Sequence, residues 1–238
     1  MKTLREVQAR LRSLANPDIA AHSLRFFKTG PGQYGEGDRF LGIRVPELRK
    51  VARAARAAPP EVAWQLVASA WHEERLTGLL MLVHAFEKGD PALREAIFAR
   101  YLEVIDSGVN NWDLVDTSAH VIVGQHLHGA RNCATTLTRL GKSASVWERR
   151  VAIIATYAFI KQGDFEETLR LAGLLLEDPE DLIHKAVGWM LREVGKRDEA
   201  VLEGFLAQRY ARMPRTMLRY AIERFPEGRR RAYLRGDL

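Results

Sequence analysis

Two tryptophans of this 238-residue chain lie beside charged residues in predicted helices, and their neighbours determine what they could bind. In the stretch 181–196, DLIHKAVGWMLREVGK, the apolar residues fall on one arc of a helix at about 100° per residue. Trp189 lies on the opposite arc, among Lys185, Arg192 and Lys196. Because cations bind phosphate and a flat ring covers the C–H face of a sugar, this arc predicts a surface for a sugar-phosphate chain. The alternative is a tryptophan packed against a neighbouring helix.

The other tryptophan, Trp112, lies in the stretch 110–120, NNWDLVDTSAH. Trp112, Asp116 and His120 follow one another at i, i+4 and i+8 along the edge of an apolar arc. The helix dipole explains Asp113, which comes at the helix start. It explains Asp116 less well, so we interpret Asp116 as a candidate site residue. His120 is expected to be a hydrogen-bonded side chain rather than a catalyst.

A third polar stripe interrupts the apolar segment 145–162, where Arg150, Tyr157 and Lys161 recur at i, i+7 and i+11. Apolar residues around most of the circumference predict an inner helix. On the concave side of a stack of helices, such a stripe would meet a ligand. Arg150 could instead pair with an acid such as Asp116, because half-buried charges require partners.

Charge is distributed unevenly along the chain, whose formal net charge is +6. Residues 1–57 carry 12 Lys/Arg against 5 Asp/Glu, residues 58–208 carry 15 against 22, and residues 209–238 carry 9 against 3. The two basic ends favour a polyanionic partner such as nucleic acid. Solvated helix faces are the alternative explanation.

Apolar residues recur at three- and four-residue spacing almost throughout, which predicts an all-α fold. Prolines mark seven predicted helix starts, at Pro17, Pro46, Pro60, Pro91, Pro179, Pro214 and Pro226. This spacing predicts helices of about 12 to 18 residues, paired as an α-solenoid of HEAT-like antiparallel helices in one domain, 1–238. An irregular helical bundle is the alternative. The Gly-rich stretch 29–41, TGPGQYGEGDRFL, predicts a long loop of a kind that is often functional.

Several familiar chemistries are missing from the sequence, which has no GxxxxGK(S/T), HExxH, CxxC or GxSxG motif. Seven scattered histidines and the single Cys133 form no metal-ligand pattern, so neither a metal nor a cofactor is expected. Cys133 is predicted to be a small buried apolar side chain. The charged N-terminus is unlike a secretory signal, and no apolar run is long enough for a membrane span. We therefore expect a cytoplasmic protein without a membrane partner.

Three separated motifs, NWDLVD (111–116), WERRVAI (147–153) and KAVGWMLRE (185–193), together resemble the AlkD family of DNA alkylation repair proteins. The segment 26–50, FFKTGPGQYGEGDRFLGIRVPELRK, is also similar to the N-terminal segment of that family. The resemblance implies a HEAT-like solenoid whose concave basic face holds duplex DNA. It further implies a glycosylase that removes positively charged N3- and N7-alkylated purines and leaves an abasic site for base excision repair.

The matched motifs imply roles for four residues. The rings of Trp112 and Trp189 would flank the backbone of the damaged nucleotide, Arg150 would engage phosphate, and Asp116 would support cleavage of the N-glycosidic bond. The resemblance also implies that the base need not be flipped into a pocket, unlike in most enzymes that act on bases.

Further expectations concern the contacts with DNA. The DNA-binding cations are expected to be Lys161, Lys185, Arg192 and Arg44. The protein is expected to act as a monomer that associates with the nucleoid when bound to DNA. Some family members carry a tyrosine near the N-terminal helix where this chain has phenylalanine at 26–27, which removes a hydroxyl contact.

The chemistry is consistent with this set of residues. A cationic alkylated purine is already a good leaving group, so the remaining task is to stabilise the oxocarbenium-like sugar and to orient water. Pure backbone binding would not need Asp116, whose negative charge weakens DNA affinity. The alternatives are a non-catalytic helical-repeat protein that binds damaged or branched DNA, and a protein-binding scaffold.

Overall fold

The computed structural model describes residues 1–237, whose regular elements are all helical apart from a single β-bridge between Arg39 and Trp71. The predicted all-α fold class is therefore confirmed. The helices pack mainly on helices close to them in chain order, which is consistent with an α-solenoid. The chain divides into two compact units, Met1–Ser118 and Ala119–Leu238. The single domain expected for 1–238 stays a prediction.

The helices that begin in the first unit are α1 Leu4–Arg12, α2 Pro17–Phe26, α3 Val45–Ala54, α4 Pro60–Val67, α5 His72–Lys88, α6 Pro91–Glu103, α7 Ile105–Gly108 and α8 Trp112–Ala119. Side chains cap several of their starts. Thr3 forms a capping box with Glu6 at α1, and Asn16 accepts two backbone N–H bonds at α2.

The longest helix, α5, packs on α1, α3, α4 and α6 and so forms the core of the first unit. Gly78 permits the close approach of α4, because a Cβ atom there would lie 2.6 Å from the carbonyl oxygen of Ala63. The first turns of α5 are buried completely, including the polar run 72–75. Polar groups this deep require partners, and most of them find one on a surrounding loop or helix.

The predicted Gly-rich loop, 29–41, is confirmed as a non-helical connection between α2 and α3. Its end lies against α5, where the backbone N–H of His72 donates to the carbonyl oxygen of Arg39 at 2.8 Å. Gly42 has φ +78°, and a Cβ atom on it would lie 2.0 Å from the carbonyl oxygen of Asn16. Glycine is therefore required where this loop approaches α2.

The second unit contains the π-helical turn His120–Gly124, α9 Gln125–Leu127, α10 Cys133–Gly141, α11 Val146–Ala155, α12 Tyr157–Ile160, α13 Glu166–Leu174, α14 Asp181–Gly195, α15 Glu199–Ala207, the 3-10 turn Tyr210–Arg212, α16 Arg215–Ala221 and α17 Glu227–Arg235. Its core forms where α14 packs on α11, α15 and α16. Gly188 lets α14 approach α16 closely, because a Cβ atom there would lie 2.5 Å from the carbonyl oxygen of Met217.

The predicted helix length of about 12 to 18 residues is wrong for most of the helices. Only α5, α6 and α14 of the described chain reach it, with 17, 13 and 15 residues. Many helices begin without a proline, for example after the caps Thr3, Ser145 and Asp198. Prolines therefore mark only some of the helix starts, and spacing between prolines overstates helix length.

The predicted inner helix at 145–162 is interrupted. It ends at Ala155, and a separate short helix begins at Tyr157. At the junction the hydroxyl of Thr156 donates to the carbonyl oxygen of Ile153 at 2.7 Å, so a side chain competes with the backbone for that acceptor.

Candidate functional site

Trp112, the first residue of α8, is half-buried against other aromatic rings of the first unit. Its indole stacks on Phe27, with centroids 5.4 Å apart and planes inclined by 15°. Phe26 meets the indole edge-on at 6.0 Å and is itself 57% exposed. Large apolar side chains are usually buried, so rings that stay accessible often mark a binding surface. The rings of Trp112 and Phe26 form an aromatic surface suited to contact with a sugar or a base.

Asp116 lies one helical turn after Trp112 and is half-buried. Near this carboxylate, the buried hydroxyls of Tyr101 and Ser118 share a hydrogen bond of 2.8 Å. Burial raises the pKa of Tyr101, and the nearby Asp116 carboxylate raises it further. The carboxylate thus lies beside low-dielectric interior, where its charge acts more strongly on a nearby cation than it would in water.

A buried polar group, which we term the His72 cluster, joins α5, the Gly-rich loop and the start of α8. It comprises His72, Asp38, Asp113, Arg75 and Asn111. His72 places Nδ1 3.1 Å from Asp38 Oδ2 and Nε2 2.8 Å from Asp113 Oδ2. Arg75 donates to Oδ1 of Asp38, and Asn111 donates to its Oδ2 at 2.9 Å. The cluster therefore links three segments that are far apart in the sequence.

The charges of this cluster are mutually compensating. Burial alone would lower the pKa of His72, but the carboxylates of Asp113 and Asp38 outweigh it and raise that pKa to about 9. Burial alone would raise the pKa of Asp38, but His72 and Arg75 lower it to about 2. Both shifts favour the charged forms, so at neutral pH the His72 imidazolium faces the Asp38 carboxylate as a charged pair.

The next residues of α5 hold further segments of the first unit. The buried carboxylate of Glu73 accepts hydrogen bonds from the three consecutive backbone N–H groups of 41–43, at 2.7 to 3.2 Å. Glu74 pairs with Arg12 of α1 at 2.9 Å. The four residues HEER, 72–75, thus fix both the Gly-rich loop and α1 to α5.

In the second unit, Tyr157 lies at the centre of an aromatic and cationic group. The ring of Trp189 approaches it at 6.2 Å, and His120 meets it edge-on at 5.6 Å. Lys161 Nζ lies 5.0 Å from the centre of the tyrosine ring, and the guanidinium of Arg197 lies 5.8 Å from it. Trp189 is half-buried, so it is partly packed and partly accessible. Rings bordered by cations suit contact with a sugar-phosphate backbone.

Arg150 is only 4% exposed, in agreement with its predicted position on an inner helix. Its guanidinium donates to the carbonyl oxygen of Leu182 in the first turn of α14. The neighbouring Arg149 pairs with Asp178 at 2.6 Å, just before that helix. Both arginines therefore tie α11 to the start of α14, the helix that carries Trp189.

The remaining predicted DNA-binding cations lie nearer the surface. Arg44 is exposed at the start of α3. Lys185 pairs with Asp181 at 2.8 Å in an exposed ion pair, and Arg192 pairs with Glu223. The exposed Lys185–Asp181 pair contributes little free energy, so its lysine can exchange a carboxylate for a phosphate at low cost. The side chain of Arg192 is only 20% exposed, so it is less free to do so.

Within residues 1–237, no group of three or more His, Cys, Asp and Glu side chains is arranged to hold a metal ion. The two carboxylates of the His72 cluster bind opposite ring nitrogens and so do not converge. Cys133 was predicted to be buried, but it is half-buried, and burial raises its thiol pKa to about 11. No helix within residues 1–237 is long and apolar enough to cross a membrane.

The sequence predicted Asp113 only as a residue of the first helical turn, which is confirmed, but not its bond to His72. It did not single out Asp38, Arg75 or Arg197 as site residues, although Asp38 lies in the segment 26–50 that resembles the AlkD family. A polar run ahead of an apolar helix is normally a solvated helix start, so nothing local signals the burial of HEER. The signals that pointed to this region were the long Gly-rich loop and the similarity of the segment 26–50 to the AlkD family.

Comparison with known proteins agrees with this architecture. The family described as DNA alkylation repair enzyme matches residues 7–225, and the chain therefore belongs to that family. Membership supports an enzymatic role in the repair of alkylation damage, with DNA as the substrate.

A solved structure described as a predicted DNA alkylation repair enzyme from Enterococcus faecalis is similar to this chain. Its TM-score is 0.69 at 18% sequence identity, and the match covers 90% of this chain and 97% of that one. At this identity the likeness shows the fold. No curated protein matches the chain.

Proposed function

We propose that this protein is a monofunctional DNA glycosylase that excises positively charged N3- and N7-alkylated purines from duplex DNA. It would hydrolyse the N-glycosidic bond and leave an abasic site for base excision repair. The observation that carries the proposal is the half-buried Asp116, one helical turn from the accessible ring of Trp112.

The chemistry needs little more than these groups. The alkylated base leaves as a neutral purine that takes the bonding electrons, and positive charge develops on the sugar. Asp116 stabilises that charge and orients a water molecule, whose oxygen bonds to C1′ while one of the water's protons passes to the surrounding solvent. The indole face of Trp112 adds a cation–π attraction of about 0.5 to 2 kcal/mol.

The second unit contributes binding of the DNA backbone in this proposal. Tyr157 and Trp189 contact sugars, while Lys161 binds phosphate. Arg150 engages phosphate in this proposal, and the bond from its buried guanidinium to the carbonyl oxygen of Leu182 also fixes the start of α14. The cations Arg44, Lys185 and Arg192 would neutralise further phosphates and make the affinity fall with salt, as the cations of DNA-binding proteins generally do.

The test is single-turnover excision from a duplex that contains one N7-methylguanine, read as strand cleavage after heating in alkali. Asp116→Asn should still bind the duplex but excise at least about 100-fold more slowly, the usual effect of removing one group that stabilises transition-state charge. Asp106→Asn, which alters an exposed carboxylate on α7, is the matched control and should excise like the wild type.

Equal excision by Asp116→Asn and the wild type would remove Asp116 from the mechanism. Salt-dependent binding without excision by either protein would instead favour the second candidate, a non-catalytic protein that recognises damaged DNA through its cations and aromatic rings. The absence of binding at low salt would contradict both.

A further inference from the structure

We propose that His72 is a positioning residue for the candidate site. Its imidazolium, clamped between Asp38 and Asp113, holds the start of α8 against the Gly-rich loop. Since α8 carries Trp112 and Asp116, this clamp fixes the two groups that the proposed excision requires. The effect on excision rests on the proposed function, whereas the effect on Trp112 rests on the geometry of the first unit alone.

The geometry requires a charged imidazole. Each ring nitrogen of His72 lies within hydrogen-bond distance of a carboxylate oxygen, at 3.1 and 2.8 Å. A neutral imidazole has one N–H and one lone pair, so one of the two carboxylates would face a lone pair. With both nitrogens protonated, both contacts are donated hydrogen bonds. The side chain is 3% exposed, so water cannot substitute for either acceptor.

Asp113 depends on this imidazolium. Its side chain is 15% exposed, and within residues 1–237 its buried Oδ1 accepts no hydrogen bond. His72 thus provides the cation for a carboxylate in the first turn of α8. Without it a largely buried charge would lose its partner, and the cheapest relief is a shift of the helix start toward water.

Two paths of contact run from His72 to Trp112. In the first, Asp38 Oδ2 accepts from both His72 and Asn111, and Asn111 Oδ1 accepts the backbone N–H of Trp112 at 2.8 Å. In the second, the ring of Phe27 lies 4.7 Å from the imidazole and 5.4 Å from the indole. Both the backbone and the ring of Trp112 are therefore placed by this cluster.

The electrostatic surroundings of the imidazole are simple. The loop contributes Asp38, α8 contributes Asp113, and Arg75 of α5 acts through its bond to Asp38. The rings of Phe27 and Phe40, each 4.7 Å away, carry no charge. The four charges cancel only while the imidazole is protonated, so loss of its proton leaves one uncompensated negative charge.

The first experiment measures the protonation state in the folded wild-type protein. The ¹⁵N chemical shifts of the His72 ring, recorded at about pH 8, should show both nitrogens protonated, whereas an ordinary histidine with a pKa near 6.5 is neutral there. His84 of the same helix is the internal comparison. A neutral His72 ring at this pH would overturn the proposal, and this measurement needs no variant.

The second experiment compares His72→Gln with His84→Gln. His72→Gln should lower single-turnover excision of N7-methylguanine at least about tenfold through misplacement of the reacting groups. Its affinity for undamaged duplex should change less than about twofold, because no phosphate-binding cation is altered. The indole N–H resonance of Trp112, assigned by its loss in Trp112→Phe, should shift in His72→Gln and not in the control.

The outcomes separate the two proposals. If wild-type protein fails to excise, the glycosylase assignment fails, while the Trp112 resonance still decides whether His72 positions that ring. If wild-type protein excises and His72→Gln excises equally well, with an unshifted Trp112 resonance, His72 does not position the site. Equal losses of excision and affinity would also overturn the proposal, since they indicate general disruption.

Discussion

Raising the pH through about 9 should destabilise the protein, because His72 then loses its proton. The folded-state pKa of about 9 lies above the ordinary value of 6.5. Stability from such a group is fully present below pH 6.5 and is lost as the pH rises through about 9. Each pKa unit corresponds to about 1.4 kcal/mol, so this difference predicts a loss of roughly 3 kcal/mol in the free energy of unfolding.

Urea unfolding at about pH 6 and about pH 9.5, which lie on either side of this transition, measures the loss. Over this interval, the free energy of unfolding of the wild type and of His84→Gln should fall by roughly 3 kcal/mol more than that of His72→Gln. The reason is that His72→Gln lacks the imidazole that loses its proton. Far-ultraviolet circular dichroism follows the helices without relying on the tryptophans near the cluster. Equal losses in all three proteins would refute the idea of a charged, clamped imidazole.

Two further predictions concern the framework of the site. Glu73→Gln should lower the free energy of unfolding by about 2 to 3 kcal/mol, because an amide donor would then face one of the backbone N–H groups of 41–43. Urea unfolding at neutral pH tests this, and an unchanged midpoint would contradict it. Gly188→Ala should cost about 1 to 3 kcal/mol, since its methyl group would press on the carbonyl oxygen of Met217. Gly204→Ala is the control, because a Cβ atom at this position meets nothing within 4 Å. This substitution should stabilise α15 by about 0.5 to 1 kcal/mol. Equal thermal midpoints for the two variants would refute the packing argument.

The parts of the site that lie on single helices could be predicted from the sequence. The stretch 181–196 repeats its apolar residues with helical period, and the helix forms at Asp181–Gly195. Trp112 and Asp116 share one helix edge because their spacing of four residues decides it locally. Trp189 among cations was found in the same way, although its contact with Tyr157 depends on how α12 and α14 pack.

The His72 cluster could not be predicted, because every bond in it joins distant segments. His72 lies 34 residues from Asp38 and 41 from Asp113, and Asn111 lies 73 residues from Asp38. Such pairs depend on the path of an irregular loop, which has no periodic signal. A second obstacle is chemical. A histidine followed by three charged residues is rarely buried unless each side chain has a partner, and the sequence does not show those partners.

The attachment of the Gly-rich loop to Glu73 has a consequence for cooperativity and for evolution. Releasing 41–43 would expose three amides and strip a buried carboxylate of its donors, so this end of the loop opens only when α5 loosens as well. Its amide hydrogens should therefore exchange with solvent as slowly as those of a core helix. Insertions should be tolerated best in the outer part of the loop, before Gly35, whose backbone lies close to the carbonyl oxygen of Phe27. The segment from Asp38 onward should keep a fixed length, because it is held to α5.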